Sequence, residues 1–217
     1  MLALLFSEPW VFVAWFIAFL FSLAFHEASH AAVATWLGDQ TARRMGRLTL
    51  NPAAHVDMTG LVFTILAGFG WGKPVPFNPY NLRWPKWGPV AVAFAGPTSN
   101  LLLAFLGLLA LAWSLPALGQ GSLLTVFFLL FVQLNLALLA FNLIPLPPLD
   151  GSKLLLAALA HPRHAAARMW IETKGPVALL GLVLVDTFFG LGVFSWVFSA
   201  VSGLVLRIAG ALGFFSA

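Results

Sequence analysis

The chain has 217 residues, 61% of them hydrophobic and only 8% charged, with a mean hydropathy of +0.96; soluble domains carry about a quarter of charged residues, so a soluble globular fold is excluded. The net charge of +4 comes from Lys and Arg dispersed over loops that flank apolar runs, which is a topology signal, and no nucleic-acid partner is expected. The absence of cysteine excludes disulfides and thiolate-held metals, leaving His, Asp and Glu as metal ligands.

A chain of this length accommodates about five or six membrane spans with short loops, so the membrane part must itself carry the function. The expected class is an all-α polytopic membrane protein. The first apolar run, roughly residues 10–37, lacks a basic leader and a small-x-small cleavage signal, and reads as a retained span.

Within that run lies His26-Glu27-Ala28-Ser29-His30. Histidines four apart project from one helical face and can share a metal, and a glutamate beside the first can deprotonate a metal-bound water. The pattern arises by chance in a chain of this composition about once in several hundred cases. An acidic residue at mid-helix costs about 2.5 to 3.5 kcal/mol on insertion scales, and a bound metal resolves that cost. The bland alternative is a pair of packing histidines with a glutamate reaching the lipid interface.

The loop after this span carries His55 and Asp57, for which an ordinary solvated role near the membrane interface is expected, not ligation. Residues 59–71 are apolar but too short for an ordinary spanning helix, and end in the Gly- and Pro-rich Gly68-Phe69-Gly70-Trp71-Gly72-Lys73-Pro74-Val75-Pro76. They read as a short re-entrant, β-like segment. Treating them so, with the N-terminus outside, places all 11 Lys and Arg residues on the cytoplasmic side, whereas counting them as a span leaves three inside and eight outside.

Further spans are expected at 88–115 and 122–146, followed by a closing pair at about 175–190 and 192–213 joined by a tight turn at Gly190 and Gly192. That makes five, with the C-terminus cytoplasmic. The whole chain reads as one membrane-embedded domain, with a catalytic core at about 10–155 and a C-terminal helical pair at about 175–213. The aromatic residues, nine of them Trp, read as lipid-facing packing and interfacial anchors.

Near the start of the second span, Asn100 follows Pro97, a residue suited to the first turn of a helix. The alternative for Asn100 is a cap or an interhelical hydrogen bond. A catalytic zinc takes three protein ligands, so one more is required. Asp39, Asp57, Glu8, Glu172 and Asp186 lack a scaffold that points them inward, whereas Asp150 ends the break Asn142-Leu143-Ile144-Pro145-Leu146-Pro147-Pro148-Leu149-Asp150-Gly151. Three prolines there stop the third helix at membrane depth, where irregular backbone survives only in protein or beside a wet cavity. The alternative for Asp150 is a cap on the helix that follows.

Through His26-Glu27-Ala28-Ser29-His30, Leu149-Asp150-Gly151 and their order, the chain resembles the site-2 protease family of intramembrane zinc metalloproteases. The likeness extends to Leu50-Asn51-Pro52-Ala53-Ala54-His55-Val56-Asp57, Gly72-Lys73-Pro74-Val75-Pro76 and Ala95-Gly96-Pro97-Thr98-Ser99-Asn100. It implies one Zn2+ per chain on His26, His30 and Asp150, with Glu27 as general base and Asn100 donating to the oxyanion or the substrate backbone. It also implies a sheet-like edge before Pro74 and a transmembrane protein or peptide as substrate. No PDZ or appended regulatory domain is present, so the chain looks like a minimal form in a prokaryotic cell membrane. Two rivals of other classes are a metal transporter, for which the later spans offer little polar path beyond Asp186, and an inactive membrane scaffold. Nothing in the sequence specifies a natural substrate or an oligomeric state.

Overall fold

A computed structural model describes residues 2–67 and 70–211. Among the described residues nine α-helices follow in order: α1 (Leu2–Ser7), α2 (Pro9–Trp36), α3 (Thr41–Arg44), α4 (Met58–Ala67), α5 (Gly88–Leu118), α6 (Leu123–Asn142), α7 (Ser152–Ala158), α8 (Ala165–Phe189) and α9 (Val193–Ala211). Among the described residues there is no strand; the single isolated bridge pairs Val56 with Gly72 in the antiparallel sense.

Among the described residues four helices are long and apolar enough to cross a membrane, α2, α5, α6 and α9, one fewer than the five spans expected. The expected span at 175–190 is the C-terminal part of α8, whose first turns carry Arg168, Glu172 and Lys174, with Arg168 Nε 3.0 Å from the Glu172 carboxylate. Those charges extend the helix toward its N-terminus without extending its apolar length. Residues 212 and 213 of the last expected span lie outside the described residues.

The core is a packed trio of α2, α5 and α6, with α9 laid against α6. Lipid tails are as apolar as leucine, so close approach of helices depends on small side chains. Ala18, Ala31 and Ala34 of α2 and Ala104 of α5 are wholly buried. A Cβ at Gly107 would stand 2.8 Å from Val132 Cγ2, so this glycine brings α5 onto α6. Ala104, Leu108, Val132, Leu136, Leu139, Val205 and Ala209 close the α5, α6 and α9 contact.

The segment 59–71 corrects one expectation and fits another. Its part up to Ala67 is helical, not β-like: α4 has 10 residues and a length of about 15 Å, half of a hydrocarbon core of about 30 Å. The chain leaves at Val56 and is paired with that residue again at Gly72, where Lys73 N donates to His55 O at 2.8 Å. The excursion therefore begins and ends at one place. Gly60 permits the return, since a Cβ there would lie 2.0 Å from Trp71 O. Gly68 and Phe69 lie outside the described residues.

Two buried groups hold the extended strap that follows, residues 70–77. Asp39 Oδ1 accepts from Thr41 Oγ1 at 2.7 Å and Asn81 Nδ2 at 3.0 Å, while its Oδ2 accepts from Asn78 N at 2.7 Å. Burial pushes the Asp39 carboxyl up, but these hydrogen bonds outweigh it and hold its pKa below the ordinary value. Arg47, 5% exposed, donates through Nη2 to the carbonyls of Lys73 and Pro74. His55 is also wholly buried, with Nε2–H donating to Thr49 O at 2.8 Å. Its solvated role is thereby corrected: the ring is a strut beneath the loop that pairs with the strap. Asp57 Oδ1 accepts from Gly60 N at 2.8 Å and opens α4.

Candidate metal centre

His26 and His30 are both on the buried face of α2, one turn apart, and their Nε2 atoms approach to 3.0 Å. Asp150 Oδ2 completes the triangle, 3.2 Å from His26 Nε2 and 3.3 Å from His30 Nε2. Among the described residues these three form the group of His and acidic side chains whose donor atoms converge. A tetrahedral zinc with ligands at about 2.0 to 2.2 Å separates them by about 3.3 to 3.5 Å, close to the observed triangle.

The chemistry of the donors points the same way. His30 Nδ1 lies 2.7 Å from Val92 O, which can only accept, so Nδ1 carries the proton and Nε2 presents a lone pair. Asp150 Oδ2 is buried with no well-formed hydrogen bond of its own. A carboxylate oxygen facing the lone pairs of neutral imidazoles at such distances is repelled unless a proton or a metal cation lies among them. Gly96 of α5 leaves the room: a Cβ there would stand 2.5 Å from His26 Cε1 and from His30 Nε2. The residues present therefore fit a divalent metal.

Local sequence explains each placement. α6 ends at Asn142, three residues before Pro145, because the residue before a proline is driven out of helical backbone. The chain then turns back, with Gly151 N donating to Asn142 O at 2.7 Å. Gly151 has a φ of −56°, which is open to any residue, and what it supplies is space, since a Cβ would lie 2.4 Å from Leu143 O. α7 is capped by Gly151 without a side-chain hydrogen bond, so Asp150 is not spent on capping it. α8 closes over the proline break, with Gly175 so near Pro147 that a Cβ would stand 2.6 Å from the ring.

Pro97 is not in a first turn. It lies inside α5, which starts at Gly88, and has no amide to offer the Ala93 carbonyl. In the same stretch the Val92 carbonyl receives His30, and Ser99 Oγ donates to Gly96 O at 2.7 Å. Asn100, three residues on, is wholly buried; its Oδ1 is 2.6 Å from His26 Nδ1 and its Nδ2 donates to Asn135 Oδ1 at 2.9 Å. Both ends of the amide are thus engaged within the protein, one of them by His26.

Glu27 lines a cleft of about 580 Å3 together with His26, His30, Asp150, Trp71 and Val75. A Cβ on Gly72 would stand 3.4 Å from Glu27 Oε1 and 2.9 Å from Leu23 Cδ1, so a glycine here lets the strap pass beside the glutamate. Leu179 and Val183 of α8 form part of the opposite wall. Asn135 and Ser22, which connect to Asn100, escaped the sequence reading, although an amide side chain amid the apolar run of α6 is a signal by itself.

Comparison with known proteins agrees with this geometry. The model of "Peptidase family M50" matches residues 116–185, a stretch that contains Asp150. The chain is 42% identical to "Putative zinc metalloprotease YwhC" of Bacillus subtilis over 171 residues, covering 76% of this chain and 78% of that one. It is 35% identical to "Putative zinc metalloprotease Rip2" of Mycobacterium tuberculosis over 212 residues, 93% of this chain and 78% of the relative. The Mycolicibacterium smegmatis protein of the same name is 33% identical over 214 residues, 93% of this chain and 80% of its own. No solved structure gives a significant match.

Proposed function

From a chain that belongs to peptidase family M50, the site-2 proteases, we propose an intramembrane zinc metalloprotease that hydrolyses peptide bonds in or near transmembrane segments of its substrates. The observation that carries the reading is the triangle of His26 Nε2, His30 Nε2 and Asp150 Oδ2, 3.0 to 3.3 Å on a side, in a buried site. These three residues would hold one zinc ion. When bound, zinc supplies Lewis acidity toward water and the scissile carbonyl.

Glu27 is the general base, next in sequence to one ligand and facing the cleft. Its carboxylate takes a proton from the attacking water and returns it to the leaving amine. Asn100 supports the reaction from behind His26, where its amide is engaged.

A substrate helix must unwind before its carbonyls are reachable, and the strap offers it a partner. His55 and Arg47 already engage Lys73 N and the Lys73 and Pro74 carbonyls, and Pro74 and Pro76 have no amide. Val75, on the cleft wall, makes no backbone hydrogen bond among the described residues and is free to pair with an extended chain. Substrates with helix-breaking residues near the cleavage point are accordingly favoured.

The accompanying topology has the N-terminus outside and the C-terminus in the cytoplasm of a prokaryotic cell, with the C-terminal half of α8 as a fifth, short inserted segment. The test is Glu27→Gln in purified protein with a single-span substrate. Cleavage should disappear with zinc content unchanged; a transporter would keep moving metal, and an inactive scaffold would show no cleavage in either form.

A further inference from the structure

The orientation of every side chain behind His26 can be read from one backbone carbonyl. Asn135 Nδ2 lies 2.8 Å from Phe131 O and 2.9 Å from Ser22 Oγ. A carbonyl oxygen only accepts, so the group facing it must be the amide nitrogen. Asn135 Oδ1 therefore faces Asn100, and accepts from its Nδ2 at 2.9 Å. That turns Asn100 Oδ1 toward His26 Nδ1, 2.6 Å away. An amide oxygen only accepts as well, so His26 Nδ1 carries the hydrogen and Nε2 presents its lone pair to the site.

We propose that Asn135 is a positioning residue of the metal centre, fixing through Asn100 which nitrogen of His26 is free to bind. The proposal rests on His26 being a ligand. His30 gains the same tautomer in a single step, from Val92 O, whereas His26 depends on a relay that runs through three helices. Asn100 and Asn135 are both 0% exposed, so water does not take the place of the bond between them. Without the bond from Asn135, Asn100 can rotate its amide by half a turn. Its Nδ2–H would then face His26 Nδ1, the ring would carry its proton on Nε2, and no lone pair would point at the metal.

Partners that orient a metal-bound histidine typically contribute about 10- to 100-fold in metal affinity. Asn135→Leu, which keeps the volume and removes the acceptor, is expected near the lower end of that range, about tenfold weaker zinc binding. Asn135→Asp is expected to stay close to wild type, because a buried carboxylic acid donates its O–H to Phe131 O and still accepts from Asn100 Nδ2, which preserves the sense of the relay. Ser22→Ala should leave affinity unchanged, since Phe131 O alone orients Asn135. A residue that merely packs the core would give another order, with the buried acid as the most damaging change.

The experiment is chelator competition for zinc on the full chain in lipid nanodiscs, paired with 15N spectra of labelled histidine after metal removal. The expected result is weak binding and Nε2–H character at His26 in Asn135→Leu alone among the three variants. Wild-type affinity and an unchanged Nδ1–H signal in Asn135→Leu would overturn the proposal, as would equal loss in Asn135→Asp. A wild-type chain that takes up no zinc would defeat the reading of the site itself, and the tautomer spectra would still decide the relay.

Discussion

Replacing Gly96 with alanine adds one methyl group at the point where both imidazoles meet α5. Its Cβ would stand 2.5 Å from His26 Cε1, 2.5 Å from His30 Nε2 and 2.6 Å from His26 Nε2. Ordinary carbon contacts begin near 3.5 Å, so the shortfall is about 1 Å. Neither ring can yield, because each is tied through Nδ1, one to Asn100 and the other to Val92. The helices must separate or the rings must swing off the metal position. Overpacking of this kind costs about 1 to 3 kcal/mol, against a gain of up to about 1 kcal/mol from exchanging glycine for alanine in a helix. The packing penalty falls on the site, where it corresponds to about 5- to 150-fold in zinc affinity, whereas the helix gain is shared by the metal-free state. Chelator competition in nanodiscs reads the first effect and thermal unfolding of the metal-free chain reads the second. Wild-type zinc affinity in Gly96→Ala would refute the placement of the rings over this glycine.

Asp150→Ala should reduce zinc content from one per chain to near zero, measured by metal analysis after dialysis, because two imidazoles alone leave a catalytic-type site short of a ligand. Arg47→Met should lower cleavage of a single-span substrate with zinc content unchanged, since it frees the Lys73 and Pro74 carbonyls and loosens the strap, not the metal site; equal activity would remove Arg47 from the substrate path. The Asp39 clamp predicts a pH dependence of known sign. Its folded pKa is depressed, so its stabilisation is complete above the unfolded carboxylate range of about 3.9 and is lost as the pH falls through the lower folded value. Denaturation of wild type and Asp39→Asn should therefore differ at neutral pH and converge in acid, and a constant gap would contradict the assignment.

How much of this was legible beforehand differs from residue to residue. The pairing of His26 with His30 follows from helical spacing alone, and Asp150 from a proline cluster that ends a helix where lipid forbids loose backbone. The four helices long and apolar enough to cross a membrane were visible for the same reason, since an uninterrupted apolar run has one stable form there, whereas the fifth expected span is only the apolar part of α8. Short runs are different, and the apolar stretch 59–71 lacks a period that separates a one-sided helix from a strand; its return to Val56 is tertiary. The burial of His55 and the hydrogen bond from His26 to Asn100, 74 residues apart, depend on the close approach of elements that sequence spacing does not encode. Asn135 was legible in principle, as an amide within an apolar helix, but its partner and its direction come only from the position of the Phe131 carbonyl. The polar start of α8 lengthened that helix beyond its apolar part, because Arg168 and Glu172 support each other on its surface.

Two α2 imidazoles and the carboxylate beyond the proline break are proposed to share one zinc ion. X-ray absorption at the zinc edge of the full chain, purified in lipid with stoichiometric metal, tests it most directly. A first shell of nitrogen and oxygen at about 2.0 to 2.2 Å, with scattering from two imidazoles that falls to one in His30→Ala, is the predicted result. A shell with no imidazole signature, or one that His30→Ala leaves unaltered, would contradict it.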